Sequence, residues 1–358
     1  MSQISELKKL YSKGKARKLI TLFSFFIALV VAAVASVSVG AGSPRLAEAI
    51  HVIMAKLFPF LNLAPASRLT QIIILDLRLP RVILAVIAGA ALAASGTLMQ
   101  AALRNPLVSP YILGVSSAAG FGAALFIVLG ISTVMFFKGY FIVANAFIFS
   151  VVAMLIVYGI ARIRGITAES IILAGVAVGY LFSALLSLIQ FIAPASDAVR
   201  AVVFWLLGGL STANWSNLTI ILPMAFAAIA LMMLYSWDLN VLSLGEEAAT
   251  SLGVNPRSIL IASIVLSAWA TASIISFTGV IGFVDLISPH IARIVIGSDH
   301  RFQLPCSALI GALLLLCADT TARVLLAPAE IPVGIVTSLM GVPFFLYLLM
   351  SRRRQIWR

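Results

Sequence analysis

Apolar runs of about 18–25 residues recur along this chain, each long enough to cross a ~30 Å hydrocarbon core as a helix. A backbone exposed to lipid must satisfy its hydrogen bonds within its own segment, so such runs can only be helices. The fold class that follows is an all-α polytopic membrane protein. Composition agrees: 62% of the 358 residues are hydrophobic and 10% are charged, a balance that soluble domains of this length do not carry.

The interruptions divide the chain into ten expected segments, some of them short or broken: 19–40, 80–103, 111–130, 139–161, 169–192, 216–236, 258–278, 281–296, 303–326 and 332–351. No low-complexity stretch or separate soluble unit is visible, so residues 1–358 are expected to form one integral domain. Residues 41–79 make a long outer connection. Within it Leu46, Ala49, Ile50, Ile53, Met54, Leu57 and Phe58 follow helical spacing, with Arg45, Glu48 and Lys56 on other faces. That pattern predicts an amphipathic helix lying on the membrane surface. A second outer connection, 193–215, carries Trp205 and Trp215 at interfacial positions.

The net charge of +12 is placed rather than spread. Lys8, Lys9, Lys13, Lys15, Arg17 and Lys18 precede the first run, within the basic stretch 1–18, and Arg352, Arg353, Arg354 and Arg358 follow the last. Basic residues beside spans mark the cytoplasmic side, and an even segment count returns the C-terminus to the side of the N-terminus. Both termini are therefore expected in the cytoplasm. No basic stripe is interleaved with aromatics, so nucleic acid is not an expected partner; membrane lipid is. The run at 19–40 exceeds the ~7–15 residues of a signal-peptide core and is expected to remain as the first helix. Cys306 and Cys317 fall on one helix about 16 Å apart and cannot pair with each other.

Two helices carry small residues every fourth position: Ala85, Gly89, Ala93 and Thr97, then Gly175, Gly179, Ser183 and Ser187, with Gln190 beyond. Such faces let membrane helices approach closely; they also suit the wall of a translocation pathway, where small hydroxylated side chains leave room and keep water. Pro106 and Pro110 predict an inner bend, with Gly114, Ala118 and Gly122 on one face beyond it. Asp285 interrupts an apolar run where a charged side chain costs roughly 2.5–3.5 kcal/mol on insertion scales. It reads either as a pathway residue or as an acid bonded to a helix end. Asp319 and Arg323 are spaced for a helical ion pair, while Arg78, Arg81 and Arg323 together would place three cations at an outer mouth, able to receive an acidic partner.

Several chemistries are absent. No glycine-rich loop ends in Gly-Lys-Ser/Thr, so the chain has no phosphate cradle for ATP. His51, His290 and His300 are scattered and no His-Glu-x-x-His occurs, so no metal site and no zinc protease is expected. Ser95 and Ser116 lack a placed base. Two transporter classes remain, one driven by a separate ATPase and one by an ion gradient.

The stretch `LGEEAATSLGVNPR` (244–257), within a polar region at 237–257, bears on that choice. Glu246 and Glu247 suit the first turn of a short helix, Gly253 can end it, and Pro256 prevents its continuation. Leu244, Ala248 and Leu252 line one face. The element reads as a surface connector or as a rigid lever docked into a soluble ATPase; an ion-driven carrier has no evident need for it.

The sequence resembles the FecCD-type permeases, membrane subunits of ABC importers for iron-siderophores, haem and vitamin B12. The resemblance rests on `RLPR` (78–81), `NPLVSPYILGVSSAAGFG` (105–122), `WLLGGLSTANW` (205–215), `LSLGEEAATSLGV` (242–254), `GFVDLISPHIAR` (282–293), `SDHR` (298–301), and `ADTTAR` followed by `EIPVGIVTSLMGVPFFLYLL`. It implies ten helices per subunit and a homodimer with its pathway on the two-fold axis. Two cytoplasmic ATPase subunits, which would bind ATP and Mg, would sit below, and an extracytoplasmic substrate-binding protein would dock outside. The chain itself would be a non-enzymatic permease in the inner cell membrane, with no cofactor of its own. By the same resemblance Gly245, Glu246, Glu247, Ala248, Leu252 and Gly253 form the coupling helix that meets the ATPase. Arg78, Arg81 and Arg323 receive acids of the binding protein, and the Gly175–Ser187 face lines the pathway. The expected cargo is a ferric siderophore or haem, with a corrinoid as the alternative. Asp285 departs from the family, which commonly has glycine there, and is expected to pair with Arg293.

Overall fold

A computed structural model describes residues 2–40, 45–61, 64, 66–129 and 138–351. The described residues form fourteen helices in chain order. They are α1 (Ser2–Ser38), α2 (Leu46–Leu57), α3 (Arg68–Ala102), α4 (Val115–Leu129), α5 (Lys138–Arg164), α6 (Ala168–Phe191) and α7 (Ser196–Leu206). The rest are α8 (Trp215–Leu234), α9 (Ser236–Leu242), α10 (Glu246–Ser251), α11 (Pro256–Thr278), α12 (Val284–Ile296), α13 (His300–Val324) and α14 (Val333–Ser351). Each of the ten expected segments coincides with one of them. Arg352, Arg353, Arg354 and Arg358 lie outside the described residues.

Among the described residues seven helices are long and apolar enough to cross a membrane: α3, α5, α6, α8, α11, α13 and the Lys13–Ser38 part of α1. The others are shorter. α12 has 13 residues, a length of roughly 20 Å at 1.5 Å per residue. The centre of the bundle is α3, α11 and α13, each with most of its apolar window buried; α1, α5, α6 and α8 surround it with mostly open faces.

The second segment begins earlier than its hydropathy implied. Residues 68–79, expected as connection, continue α3 outward, with π-helical spacing over Ile72–Arg78. Pro80 is the physical reason. A proline inside an α-helix has no N–H to donate and crowds the preceding turn, and a wider π turn relieves that crowding. With π spacing the Leu75 carbonyl would look to residue 80 for a donor. Trp215 supplies one instead, its indole N–H donating to Leu75 O at 3.0 Å. The predicted amphipathic helix is present as α2, which buries Ala49 and Val52 against the bundle.

The small-residue face of α3 is a packing surface. A Cβ on Gly89 would stand 2.2 Å from the Gly311 carbonyl oxygen of α13, and one on Gly311 would meet Ala93 Cβ at 2.4 Å. One turn on, a Cβ on Gly96 would lie 1.9 Å from the Asp285 carbonyl of α12. Hydroxyls tie the same helices, with Ser307 donating to Ala93 O (3.3 Å) and Ser267 of α11 to Ser95 O (3.1 Å). Close backbone approach without branched side chains maximises dispersion contact where lipid offers no hydrophobic drive. Gly89→Leu is expected to cost at least about 1–3 kcal/mol through overpacking, read as a lowered unfolding midpoint in detergent. The same change at Gly159, which has open space around it, should leave the midpoint nearly unmoved.

Candidate coupling, docking and pathway sites

α10 is a short capped element standing proud of the bundle. Gly245 (φ 116°) precedes it and Gly253 (φ 83°) follows it, both in a backbone region that disfavours side chains. Thr250 and Ser251 hydroxyls back-bond to the Glu246 and Glu247 carbonyls at 2.8 and 2.9 Å. Ala249 is the buried residue of the helix, beside the face that spacing gives to Leu244, Ala248 and Leu252. Leu244 and Leu252 are 67% and 63% exposed, Ala248 is half-buried, and Glu246 and Glu247 are exposed. One alanine seats the helix, and two leucines and two carboxylates are presented outward.

At the opposite end the three arginines converge on one carboxylate and one helix terminus. Arg81 Nε donates to Asp319 Oδ1 at 2.9 Å and its Nη1 to Glu330 Oε2 at 2.8 Å. Arg323 Nε stands 3.1 Å from Asp319 Oδ2, the ion pair expected from the i,i+4 spacing. Arg78 Nη1 donates to Val37 O at 2.8 Å, and Arg323 reaches Val39 O (2.9 Å) and the Ser36 hydroxyl (2.6 Å). The last carbonyls of a helix lack intrahelical donors and carry partial negative charge; here two guanidinium groups cap the end of α1. Arg78 and Arg323 are 7% and 6% exposed, so the outward-facing part of the cluster is Arg81 with the half-exposed Glu330. Beside them opens a cavity of about 440 Å³, lined in part by Trp205, Ser211, Thr212 and Pro332.

The four small residues of α6 divide. A Cβ on Gly175 would meet the Ile112 carbonyl at 2.3 Å, and Gly179 lies against Gly114, so both pack on the turn after Pro110. Ser183 and Ser187 are exposed; Ser183 donates to Ser117 at 3.1 Å and Ser187 to Ser183 O at 3.0 Å. Tyr180, 75% exposed, continues that open side.

Asp285 does not pair with Arg293. It opens the first turn of α12 and accepts a hydrogen bond from the Ser109 hydroxyl. Tyr111 holds the same segment by donating to Ile281 O at 2.6 Å. A carboxylate in a first helical turn meets the positive end of the helix dipole, whereas Arg293 sits in the last turn of α12, two turns away. The helix-end reading of Asp285 is the one the geometry carries.

Residues 28–351 match the FecCD transport family. The chain belongs to it. It is 42% identical over 281 residues to the hemin transport system permease protein HmuU of Yersinia pestis, covering 78% of this chain and 84% of that one. It is 38% identical over 326 residues to the cobalamin import system permease protein BtuC of Halobacterium salinarum, covering 88% and 86%. Its structure superposes with a TM-score of 0.81, at 34% identity and covering 92% and 99%, on an ABC transporter solved in an inward-facing conformation and described as of metal-chelate type. The chain is thus a permease subunit of an ABC importer. Among the described residues no group of three or more His, Cys, Asp or Glu stands close enough to hold a metal.

This FecCD permease also carries a polar knot that sequence reasoning did not find. Asp299 caps α13 and gathers three elements. Its Oδ1 accepts from Asn240 Nδ2 of α9 (2.8 Å) and from Arg301 Nε (3.0 Å), its Oδ2 accepts from Arg301 Nη2 (2.8 Å), and Lys18 of α1 lies 3.6 Å away. The other end of the Asn240 amide accepts the His300 N–H at 2.8 Å. Arg301 stacks over Trp237 at 4.9 Å. The `SDHR` stretch was visible in the sequence, but nothing in it pointed to Asn240, sixty residues upstream.

Hydrogen bonds from Arg301, and then from Asn240, hold the Asp299 carboxyl well below the usual carboxylate range. Its folded pKa is lower than its unfolded one. The stabilisation is therefore complete above the unfolded value of about 3.9 and is lost as pH falls through the folded value. Asp299→Asn should lower the unfolding midpoint at pH 7, and the gap to the parent protein should close only below about pH 3.9.

Proposed function

We propose that two copies of this chain form the membrane core of an ATP-driven importer for a metal chelate, haem or a ferric siderophore, in the inner cell membrane with both termini in the cytoplasm. The observation that carries the cargo reading is the 42% identity to a hemin transport permease, joined to the fold shared with a transporter described as of metal-chelate type. The cobalamin relative, aligned over a larger share of this chain, keeps a corrinoid as the second reading. ATP-dependent uptake of haemin into proteoliposomes holding the permease, its ATPase and its binding protein tests the cargo. Uptake of cobalamin in place of haemin would move the assignment to the corrinoid. Uptake under an ion gradient with no ATPase present would overturn the mechanism.

In this reading α10 is the ATPase contact, formed by Gly245, Glu246, Glu247, Ala248, Leu252 and Gly253. Its support is physical: a rigid capped helix exposes leucines to bury and carboxylates to pair, while glycines at both ends let it stand away from the bundle. ATP binding draws two ATPase subunits together, and the helices docked in them move with them. Two α6 helices flank the central path, with Ser183 and Ser187 on their open sides and Gly175 and Gly179 fixing each helix against the turn behind it. Affinity for cargo resides in the external binding protein, so the path needs small side chains more than a chelating site. Glu246→Lys with Glu247→Lys is expected to abolish uptake, either by releasing the ATPase or by leaving it to hydrolyse ATP without transport. Full uptake by this variant would remove the coupling role.

Arg78, Arg81 and Arg323 form the docking end. Arg81 is the member whose partner Glu330 is open to exchange for an acid of the binding protein, while the other two hold the end of α1. Capture of the binding protein is expected to weaken as added salt shortens the Debye length below about 10 Å. Arg81→Gln should flatten that dependence, measured by surface-immobilised binding at several ionic strengths. An unchanged salt slope would exclude Arg81 from the contact.

A further inference from the structure

α10 has little of its own with which to deliver a displacement. One alanine seats it, and a push on it must leave through the chain on either side. On the upstream side lies α9, whose Leu239 and Leu242 are buried and whose Asn240 bonds the start of α13 with both ends of its amide. One end of its amide donates to the Asp299 carboxylate, and the other accepts the His300 backbone N–H. Asp299 also accepts the Arg301 N–H at the first turn of α13 and holds the Arg301 guanidinium through both carboxylate oxygens. From there α13 runs unbroken for 25 residues, roughly 37 Å at 1.5 Å per residue. It is locked to α3 by the Gly89–Gly311 contact. Its far end carries Asp319 and Arg323, the centre of the arginine cluster.

We propose that Asn240 and Asp299 are positioning residues that fasten the segment preceding α10 to the start of α13, so that displacement of α10 is carried along α13 to the Arg81–Asp319–Arg323 cluster. The inference rests on the reading of α10 as the ATPase contact and adds the route by which that contact reaches the binding-protein end. A helix gripped at one terminus by an amide that bonds both its capping carboxylate and its backbone moves with the group that grips it. A flexible loop in that place would dissipate the same motion.

An exchange of the two polar groups separates this route from a merely structural contact. Asn240→Asp alone sets two carboxylates against each other and breaks the tie. Asn240→Asp combined with Asp299→Asn restores one donor and one acceptor across the same gap, and the carboxylate now at position 240 still accepts the His300 N–H. Because the new amide gives up the Arg301 backbone and Nε bonds that Asp299 Oδ1 accepts, recovery is read against Asp299→Asn alone. The readout is a spin label on Leu326→Cys, an exposed position just beyond α13, in a Cys317→Ser background. The inter-protomer distance is measured in the assembled complex with its ATPase in nanodiscs, without nucleotide and after trapping with ATP and vanadate.

The parent complex should show an ATP-driven change in distance. Asn240→Asp should reduce that change by about twofold or more, the scale expected for residues coupled in one network, while ATP hydrolysis continues. The exchanged pair should recover it. An undiminished change in Asn240→Asp, or no recovery in the exchanged pair, overturns the route. If Asn240→Asp and Asn240→Ala both fail to assemble with the ATPase, the tie serves docking or folding and the route is likewise overturned. The underlying reading fails differently: the parent itself would show no ATP-driven change, or Glu246→Lys with Glu247→Lys would leave it intact.

Discussion

The near-contact of two backbones at Gly89 and Gly311 sets the geometry on which the rest depends. In lipid the attraction between helices comes from packing rather than from expulsion of water, so a central pair must be shaped to touch. A glycine on each side brings α3 and α13 together, and the next small residues, Ala93 and Ser307, extend the seam by contact and hydrogen bond. α12 joins α3 by the same device at Gly96. With α3 and α13 fixed to each other, Arg81 near the start of α3 stands opposite Asp319 near the end of α13, and the start of α13 meets α9 and α1.

The arginine cluster shows how such a frame carries charge. Removing two guanidinium groups and a carboxylate from water costs several kcal/mol per ion, offset only by close pairing and added hydrogen bonds. Both conditions hold: Asp319 faces two arginines, and the remaining N–H groups of Arg78 and Arg323 reach carbonyls at the end of α1. Those carbonyls need donors and the arginines need acceptors, so each solves the other's problem. The end of α1 is thereby held against α3 and α13, which explains how a peripheral helix with mostly open sides keeps its place.

Much of this was legible in the sequence, for identifiable reasons. Ten segments could be found because a span must be long and apolar, and α2 because its apolar stripe follows a 3.6-residue period. The glycine boundaries of α10 could be read because Gly245 and Gly253 have little other use beside a polar hexamer. What could not be read depends on distance in space. Residues 68–79 looked like connection because Arg68, Asp76 and Arg78 lower their hydropathy, yet Pro80 and a π turn let the helix run through them. The packed residue of α10, Ala249, could not be singled out, since six residues are too few for periodicity to choose a seat. Asp285 was matched to an arginine on its own helix, while its actual partner, Ser109, lies in a turn 176 positions away.

The two polar assemblies differ in a way that bears on their use. The arginine cluster encloses Arg78, Arg323 and Asp319 and leaves Arg81 with Glu330 facing outward, and its enclosed bonds, in a low dielectric, tie the end of α1 to α3 and α13. The Asn240–Asp299 knot is only partly buried, its side chains reaching solvent on one side, and it joins a seven-residue helix to a 25-residue one. A short helix gripped through side chains can tilt as a body while its hydrogen bonds persist. The end of α1, its carbonyls held by Arg78 and Arg323, is tied to α3 and α13 as one body. On the route proposed for α13, displacement reaches that cluster as a whole, and the bond within it nearest to solvent is that of Arg81 to the exposed Glu330.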